Sequence, residues 1–496
     1  MVFIKEKDGI FKKELSLFDL IVFGIGSTIG AGIFILIGLG AQIAGSGLII
    51  SFVIATIITL FIALNYAELG TSIPTTGGSY AFVKESFGGI VAFYVGWLIW
   101  LGSIVYSALS AVGFIQYLNY FLPFKFHDLF GAIVLFAFVA LNIRGIKKSM
   151  FVQKIITLIL LGIFLISIIA GFTNVDAKNF TPFKNGITPI FIATSLIFVC
   201  FIGFAMTTTI SEGVKKPKHI AYALILTVLI SGLIYIGLTY VTFGSVSIDT
   251  LVNSRVPLME LVSQSPILLI FMFLAAILAT LSSLNVSVIV SSMNLFALST
   301  DSYVPPIFSS LHKKYQTPHI AMLFSAFIAI LFIASKSIEF IAYVSSFGYL
   351  IAFSLVSSSL FILRKKRKFL ERPFSLPYYQ IFSLIGFLFP LILLIFLPSS
   401  AIFTGVVWII FGFFIYTLHT LGVDRFRIAF GGINFLISVF TLTLFYFIRI
   451  GFFSIQPLTR IFLTYISLTI GLVTLISGIL FIKKVMIPEK EEKNQK

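Results

Sequence analysis

Residues 18–43 read FDLIVFGIGSTIGAGIFILIGLGAQI, an apolar run of about 26 residues whose one charge, Asp19, stands at its start. About 20 apolar residues in a helix are enough to cross the hydrocarbon of a bilayer. A cleaved signal would have a shorter apolar core ending in small residues, so the run reads as a first transmembrane helix. Gly24, Gly26, Gly30 and Gly32 fall close together near its middle. Each costs a helix about 1 kcal/mol relative to Ala. Two readings follow. In one, the helix is discontinuous, and a second half starts near Gly32 with free N–H groups and a positive dipole end turned toward a carboxylate. In the other, Gly26 and Gly30 form a GxxxG face that lets a neighbouring helix approach closely.

The rest of the chain has the same character. Of its 496 residues 59% are hydrophobic and 10% charged, and the 58 Phe suit acyl chains better than an aqueous surface. Mean hydropathy is +1.10. No polar stretch is long enough to hide a soluble domain, so the apolar excess faces lipid. The net charge of +16 sits in short clusters between apolar runs, where it fixes topology. No basic stripe with interleaved aromatics appears, which excludes nucleic acid as a partner. Cys200 is the single cysteine, so neither an intramolecular disulfide nor a thiolate metal site can form.

Apolar runs predict spans at about 18–43, 48–69, 90–118, 128–147, 151–171, 187–211 and 219–243. Further spans are expected at about 266–300, 319–335, 338–363, 379–397, 401–420, 428–450 and 460–482, about 14 in all. With the N-terminus in the cytoplasm, 27 of the 34 Lys and Arg fall inside and seven outside, as the positive-inside rule requires. Spans one to five and six to ten are odd-numbered sets, so if they share a fold they enter from opposite sides, the geometry of an inverted repeat. The expected organisation is a cytoplasmic segment 1–17, repeats at 18–171 and 187–363, appended helices at 379–482 and a cytoplasmic tail 483–496. The sixth span carries a weaker break at Phe201-Ile202-Gly203-Phe204-Ala205, followed by Met206-Thr207-Thr208-Thr209. Unwound carbonyls there would receive an ammonium, with Thr hydroxyls satisfying freed backbone groups. A lone Gly in a membrane helix is also common without such a role.

Several motifs now combine. Gly26 to Phe34 (GSTIGAGIF), Tyr66-Ala67-Glu68-Leu69 with Pro74 to Tyr80, Phe201 to Phe204 with Glu212 to Lys218, Met293 to Pro305, and Arg372-Pro373-Phe374 before Pro377-Tyr378 occur in order. The set resembles the amino acid–polyamine–organocation superfamily of permeases over about residues 15–380. That resemblance implies an all-α integral membrane protein with the leucine-transporter-type 5+5 inverted-repeat bundle, working by alternating access. About four additional C-terminal transmembrane helices would follow. Carried onto this chain, the carboxylate site falls on Gly30, Ala31 and Gly32. The ammonium site falls on carbonyls near Thr28, Val199, Cys200 and Ile202, beside Gly203, and Phe204 is the aromatic lid. Plain packing is the other reading for the side chains of Cys200 and Phe204.

Departures from the family pattern refine the expectation. Ala205 stands where many relatives carry an acid that holds a cationic side chain, which disfavours arginine and lysine as substrates. Leu160 occupies the place of the fifth-span lysine of proton-coupled relatives, and Met293 and Asn294 replace an arginine of the eighth span. Loss of that lysine leaves room for sodium. Ser283 and Ser287 are i,i+4 neighbours whose hydroxyls, with carbonyls of the first span, would supply oxygen ligands. Alternatively each serine bonds a carbonyl of its own helix. Glu68, near a helix end, is a gate or proton carrier in one reading and an interfacial residue in the other. The Arg364–Lys368 cluster reads as topogenic.

The expected activity is therefore secondary transport of amino acids, small or apolar neutral ones, across the plasma membrane, ion-coupled or by exchange. A polyamine or cationic amino acid permease is the alternative within transporters. A polytopic membrane enzyme would need clustered acids or histidines at a membrane face, and the five His are scattered. A channel would need a repeated pore loop or charged ring. Neither pattern is present in the sequence. The expected partners are an amino acid and the lipid bilayer. No cofactor is expected beyond a coupling Na+ or H+, and nothing in the sequence fixes an oligomeric state.

Overall fold

The structure, a computed structural model, describes residues 15–75, 77–123, 127–144, 149–180, 186–420, 425–449 and 457–486. The N-terminal residues 1–14 and the tail from 487 lie outside the described residues. The described chain is helical throughout. Its first half runs through α1 (Leu17–Thr28), α2 (Ala31–Ala44), α3 (Leu48–Ser72), α4 (Gly78–Phe87), α5 (Gly89–Phe121), α6 (His127–Ile143), α7 (Ser149–Phe172) and α8 (Thr188–Ile197). A 3-10 segment (Phe198–Gly213) leads to α9 (Lys218–Ser245), α10 (Ile248–Asn253), α11 (Pro257–Leu261), α12 (Pro266–Thr300), α13 (His319–Ile333) and α14 (Ile338–Lys366). Last come α15 (Tyr379–Leu394), α16 (Ser399–Thr420), α17 (Arg425–Arg449) and α18 (Pro457–Met486). Among the described residues eight helical stretches are long and apolar enough to cross a membrane, and shorter apolar helices, α1, α13 and α15 among them, accompany them. Because a helix satisfies its own interior backbone groups, this is a fold a bilayer tolerates.

Two compact units emerge. The larger holds the chain up to Thr300 together with Pro306–Gly405, and the smaller holds Asp301–Pro305 and the chain from Val406. In the larger unit α5 is the central post. Gly102 admits the Tyr349 ring of α14, Gly348 abuts Leu98 O, and Ser345 Oγ donates to Gly102 O at 2.9 Å. This is close packing through small residues, the usual way helices associate where lipid gives no hydrophobic driving force. Trp100, wholly buried on α5, donates its indole N–H to Ser325 Oγ of α13 at 2.9 Å. On the far side, α15 is anchored to α3 by Ser383 Oγ donating to Asn65 Oδ1 and Asn65 Nδ2 donating to Phe382 O. In the smaller unit Ser438 Oγ of α17 donates to Gly471 O of α18 at 2.6 Å, and the Phe414 and Phe435 rings meet at a tilt, their centroids 4.5 Å apart.

The start of α1 follows from its sequence. Ser16 and Asp19 form a reciprocal capping box, with Asp19 N–H donating to Ser16 Oγ and Ser16 N–H to Asp19 Oδ2. Asp19 also takes Lys154 Nζ of α7 at 2.6 Å. Ahead of the helix, Leu15 N–H donates to Gly213 O and Lys215 N–H to Leu15 O, tying the entry of α1 to the exit of the 3-10 segment.

Candidate functional site

The glycine-rich run is broken. Helix α1 closes with Ile29 N–H donating to Ile25 O at 2.7 Å, Ile29 and Gly30 are extended, and α2 begins at Ala31, one residue before the expected Gly32. Near the break, Ser27 and Thr28 turn their hydroxyls back to Phe23 O and Gly24 O, bonds that compete with continuation of the helix. Gly30 is there for space: a Cβ on it would lie 2.5 Å from both Ser283 Cβ and Tyr106 Oη. Breaking a helix in the buried centre frees N–H groups at the head of α2 and carbonyls at the tail of α1. Side chains from elsewhere meet both. Ala31 N–H donates to Ser283 Oγ at 3.2 Å, and Ser283 shares a hydrogen bond with Ser110 Oγ at 2.9 Å. The Tyr106 hydroxyl faces Gly32 N–H and Ser283 from the α5 side.

The sixth apolar run is not interrupted by a loop. Its winding changes instead, from α to 3-10 at Phe198, ahead of the expected break at Gly203. Long 3-10 stretches are uncommon because their hydrogen bonds are poorly aligned, and within a helix they often mark a functional hinge or a strained sequence. Tyr235 of α9 binds this segment to the first: its hydroxyl bridges Thr28 O at 2.9 Å and Cys200 O at 3.1 Å. Gly203 is the place where the two runs touch backbone to backbone, since a Cβ there would overlap Ser27 O and Thr28 N. Cys200 lies against Gly32, with Sγ 2.6 Å from where a Cβ would stand. Thr28, Gly30, Ala31, Gly32, Cys200 and Gly203 thus come together at one buried point. Val199 and Ile202 are buried in the same 3-10 segment. Phe204 lies in an aromatic cluster, edge-on to Tyr66 and Phe353 at 5.4 Å each.

A sequence profile of the amino acid permease family matches residues 15–419. The chain belongs to the amino acid permease family. A branched-chain amino acid permease of Bacillus subtilis (strain 168) is 30% identical over 82% of this chain and 93% of its own. A methylthioribose transporter of the same organism is 27% identical over 84% and 95%. A glutamate/serine transporter, also from Bacillus subtilis, is 26% identical over 76% of each chain. Membership makes this permease a multi-pass membrane protein and a transporter rather than an enzyme, with a small-molecule amino acid as its cargo.

Other candidates of the permease fall elsewhere. Ser287, on the same helix as Ser283, donates to Leu284 O of its own turn at 3.0 Å. Ser282 instead reaches Gly26 O at 3.4 Å and exchanges hydrogen bonds with Gln153 of α7. Leu160 is fully buried. Glu68 is wholly buried at the end of α3, not at an exposed interface. Its carboxylate accepts from Arg364 Nε at 2.7 Å, Arg364 NH2 at 2.5 Å and Leu376 N–H at 2.8 Å, with Arg372 Nε at 3.3 Å. The basic cluster at the end of α14 therefore does more than set topology: Lys366 Nζ also donates to Ser86 O and Arg367 pairs with Glu85. Sequence reading missed Tyr106, Ser110, Gln153 and Tyr235. The only signal was a polar side chain inside an apolar run, which alone does not say which way it faces.

Proposed function

We propose that this permease is a secondary active transporter moving small or apolar neutral amino acids across the plasma membrane by alternating access, ion-coupled or by exchange. The observation that supports this most is the Ile29–Gly30 break, with its amides and carbonyls gathered beside Cys200 in the buried centre. Amides of Gly30, Ala31 and Gly32 at the positive end of α2 take the substrate carboxylate. Carbonyls of Thr28, Val199, Cys200 and Ile202 take the ammonium, Gly203 keeps the two runs close, and Phe204 covers the side chain. Ala205, buried and uncharged, leaves a cationic substrate without a counter-ion.

The architecture in this reading is the five-plus-five inverted repeat over 18–171 and 187–363, with 379–482 appended, about 14 spans in all and both termini cytoplasmic. Alternation comes from rocking a bundle of spans one, two, six and seven against the rest. The Glu68–Arg364 pair acts as the gate on the cytoplasmic side. Ser283 and Ser287, with carbonyls of α1, are the sodium candidates. One charge moved down a 100 mV potential supplies about 2.3 kcal/mol, enough for modest accumulation. The branched-chain amino acid permeases of Bacillus subtilis and Lactococcus lactis among the relatives support a neutral apolar substrate. The test is uptake of radiolabelled leucine into proteoliposomes, with unlabelled competitors, and with sodium and proton gradients imposed separately. Saturable, gradient-driven accumulation is expected. Absence of accumulation for every amino acid under every gradient would remove the reading.

A further inference from the structure

Where α7 and α9 end and α12 begins, the chain forms a cleft of about 70 Å³, open on one side. Its polar walls are Ser167, Asn174, Ser245, Glu260, Gln264 and Ser265. Two independent features single it out. The first is the Glu260 carboxylate, half-buried on α11, which accepts a hydrogen bond from Ser254 Oγ at 2.9 Å. No Lys or Arg lines the cavity among the described residues, and Arg255, exposed in the same connection, is not part of the wall. A carboxylate in a partly enclosed space is poorly screened by water and attracts a cation more strongly than one on an open surface. The second is Ser167 Oγ, buried, lining the cavity and without a hydrogen-bond partner. A serine inside a helix ordinarily returns its proton to a carbonyl one turn back, and this one does not.

The chemistry fits a hard, singly charged ligand. One carboxylate with hydroxyl and amide oxygens is an oxygen-donor set of low total charge, suited to a monovalent rather than a divalent ion. A bare or hydrated monovalent ion fits, as does a primary ammonium head. We propose that this cavity is a small monovalent-cation site, taking sodium or an ammonium head group, with Glu260 supplying the charge and Ser167, Asn174 and Gln264 the neutral oxygens. It is separate from the Ser283 and Ser287 hydroxyls.

Occupancy there bears on the broken helix. Ser254, the partner of Glu260, follows directly on α10, and α10 with this residue is fastened to α2. Gln42 Nε2 donates to Val252 O at 2.7 Å, and a Cβ on Gly38 would stand 3.2 Å from both Leu251 O and Ser254 O. A cation held by Glu260 braces the segment on which α2 rests.

The test uses the purified full-length protein in detergent. Its unfolding midpoint is titrated with sodium chloride or methylammonium chloride against N-methyl-D-glucamine chloride at constant ionic strength. A saturable rise with at least one of the two is expected; a rise with sodium alone assigns the site to the dissolved ion, and a rise with methylammonium alone assigns it to an amine. Glu260→Gln should weaken the half-saturating concentration at least tenfold, and Ser167→Val, which fills the cavity, should abolish the response. Either variant suffices if the other fails to elute as a single folded species. A wild-type response no different from the bulky control, or an undiminished response in the folded variants, overturns the proposal. The readout is binding, so it stands or falls independently of whether leucine is transported.

Discussion

The buried carboxylate of Glu68 allows a quantitative test of what closes the bundle at the end of α3. Its side chain is 1% exposed, against 19% for Arg364. Removing one partner of a buried ion pair commonly costs about 3–5 kcal/mol, because the remaining charge is left desolvated. Arg364→Ala falls toward the lower end here, since Glu68 keeps Leu376 N–H at 2.8 Å and Arg372 at 3.3 Å. We expect a loss of about 3 kcal/mol. Glu68→Gln leaves Arg364 its bonds to Ser375 Oγ and Leu376 O and its place over the Tyr379 ring at 4.1 Å. With those partners retained, the loss should be smaller, about 1–2 kcal/mol. The double variant then matters most. With no bare carboxylate to bury, Glu68→Gln/Arg364→Ala should be more stable than Arg364→Ala alone by about 1 kcal/mol or more. The assay is the unfolding midpoint of detergent-solubilised protein, at about 2 °C per kcal/mol for a large chain. A double variant that falls by the sum of the two single losses would refute the coupling and return Glu68 to an ordinary helix-end residue.

Three further outcomes follow from the central contacts. Gly203→Ala forces a methyl into the Ser27–Thr28 backbone and should cost about 1–3 kcal/mol or more, whereas Gly162→Ala, with nothing near its Cβ, should be neutral or stabilising; comparison of their midpoints checks this. Gly32→Phe meets Cys200 and should abolish leucine binding by scintillation proximity while the protein still elutes as a single folded species; unimpaired uptake by this variant would count against the site. Tyr235→Phe removes the hydroxyl that occupies Thr28 O and Cys200 O, so an ammonium no longer has to displace it; substrate affinity should rise about fivefold to tenfold, the equivalent of one net hydrogen bond, and an unchanged half-saturation constant would place the ammonium elsewhere.

Much of this was legible in the sequence, and the reasons divide by distance along the chain. The break in the first run could be read because its causes are local: clustered glycines and two hydroxyl side chains that back-bond within one turn. The membrane character could be read because it is a property of composition. The sixth run was harder. One glycine says little about winding, and the role of Gly203 is a backbone contact with residues far away in the chain. Tyr235 reaches Thr28 across 207 residues, and Arg364 reaches Glu68 across 296. No spacing rule connects such pairs, so the tyrosine passed unread and the arginine read as a topological charge. Ser283 and Ser287 show the limit of periodicity from the other side. Their spacing puts both on one face of α12, yet they sit a full turn apart in height, and only Ser283 meets the break.

The contacts at the break also bear on how tightly a permease of this kind should hold its cargo. On the proposed site, an arriving carboxylate displaces the Ser283 hydroxyl from Ala31 N–H, exchanging a neutral hydrogen bond for a charge-assisted one about twice as strong. The gain per exchanged bond is therefore about 1 kcal/mol, not the full strength of a new bond. An ammonium meeting the Thr28 and Cys200 carbonyls faces the same exchange with Tyr235. Several such exchanges, together with burial of an apolar side chain worth about 1.5–3 kcal/mol, sum to an affinity in the high micromolar to millimolar range. For a carrier this weakness is useful, because a site whose groups are already satisfied releases the substrate without leaving buried amides and carbonyls bare. The hydroxyls of Ser283, Tyr106 and Tyr235 thus do for the broken helices what water does for an exposed helix end, inside a centre that water need not enter.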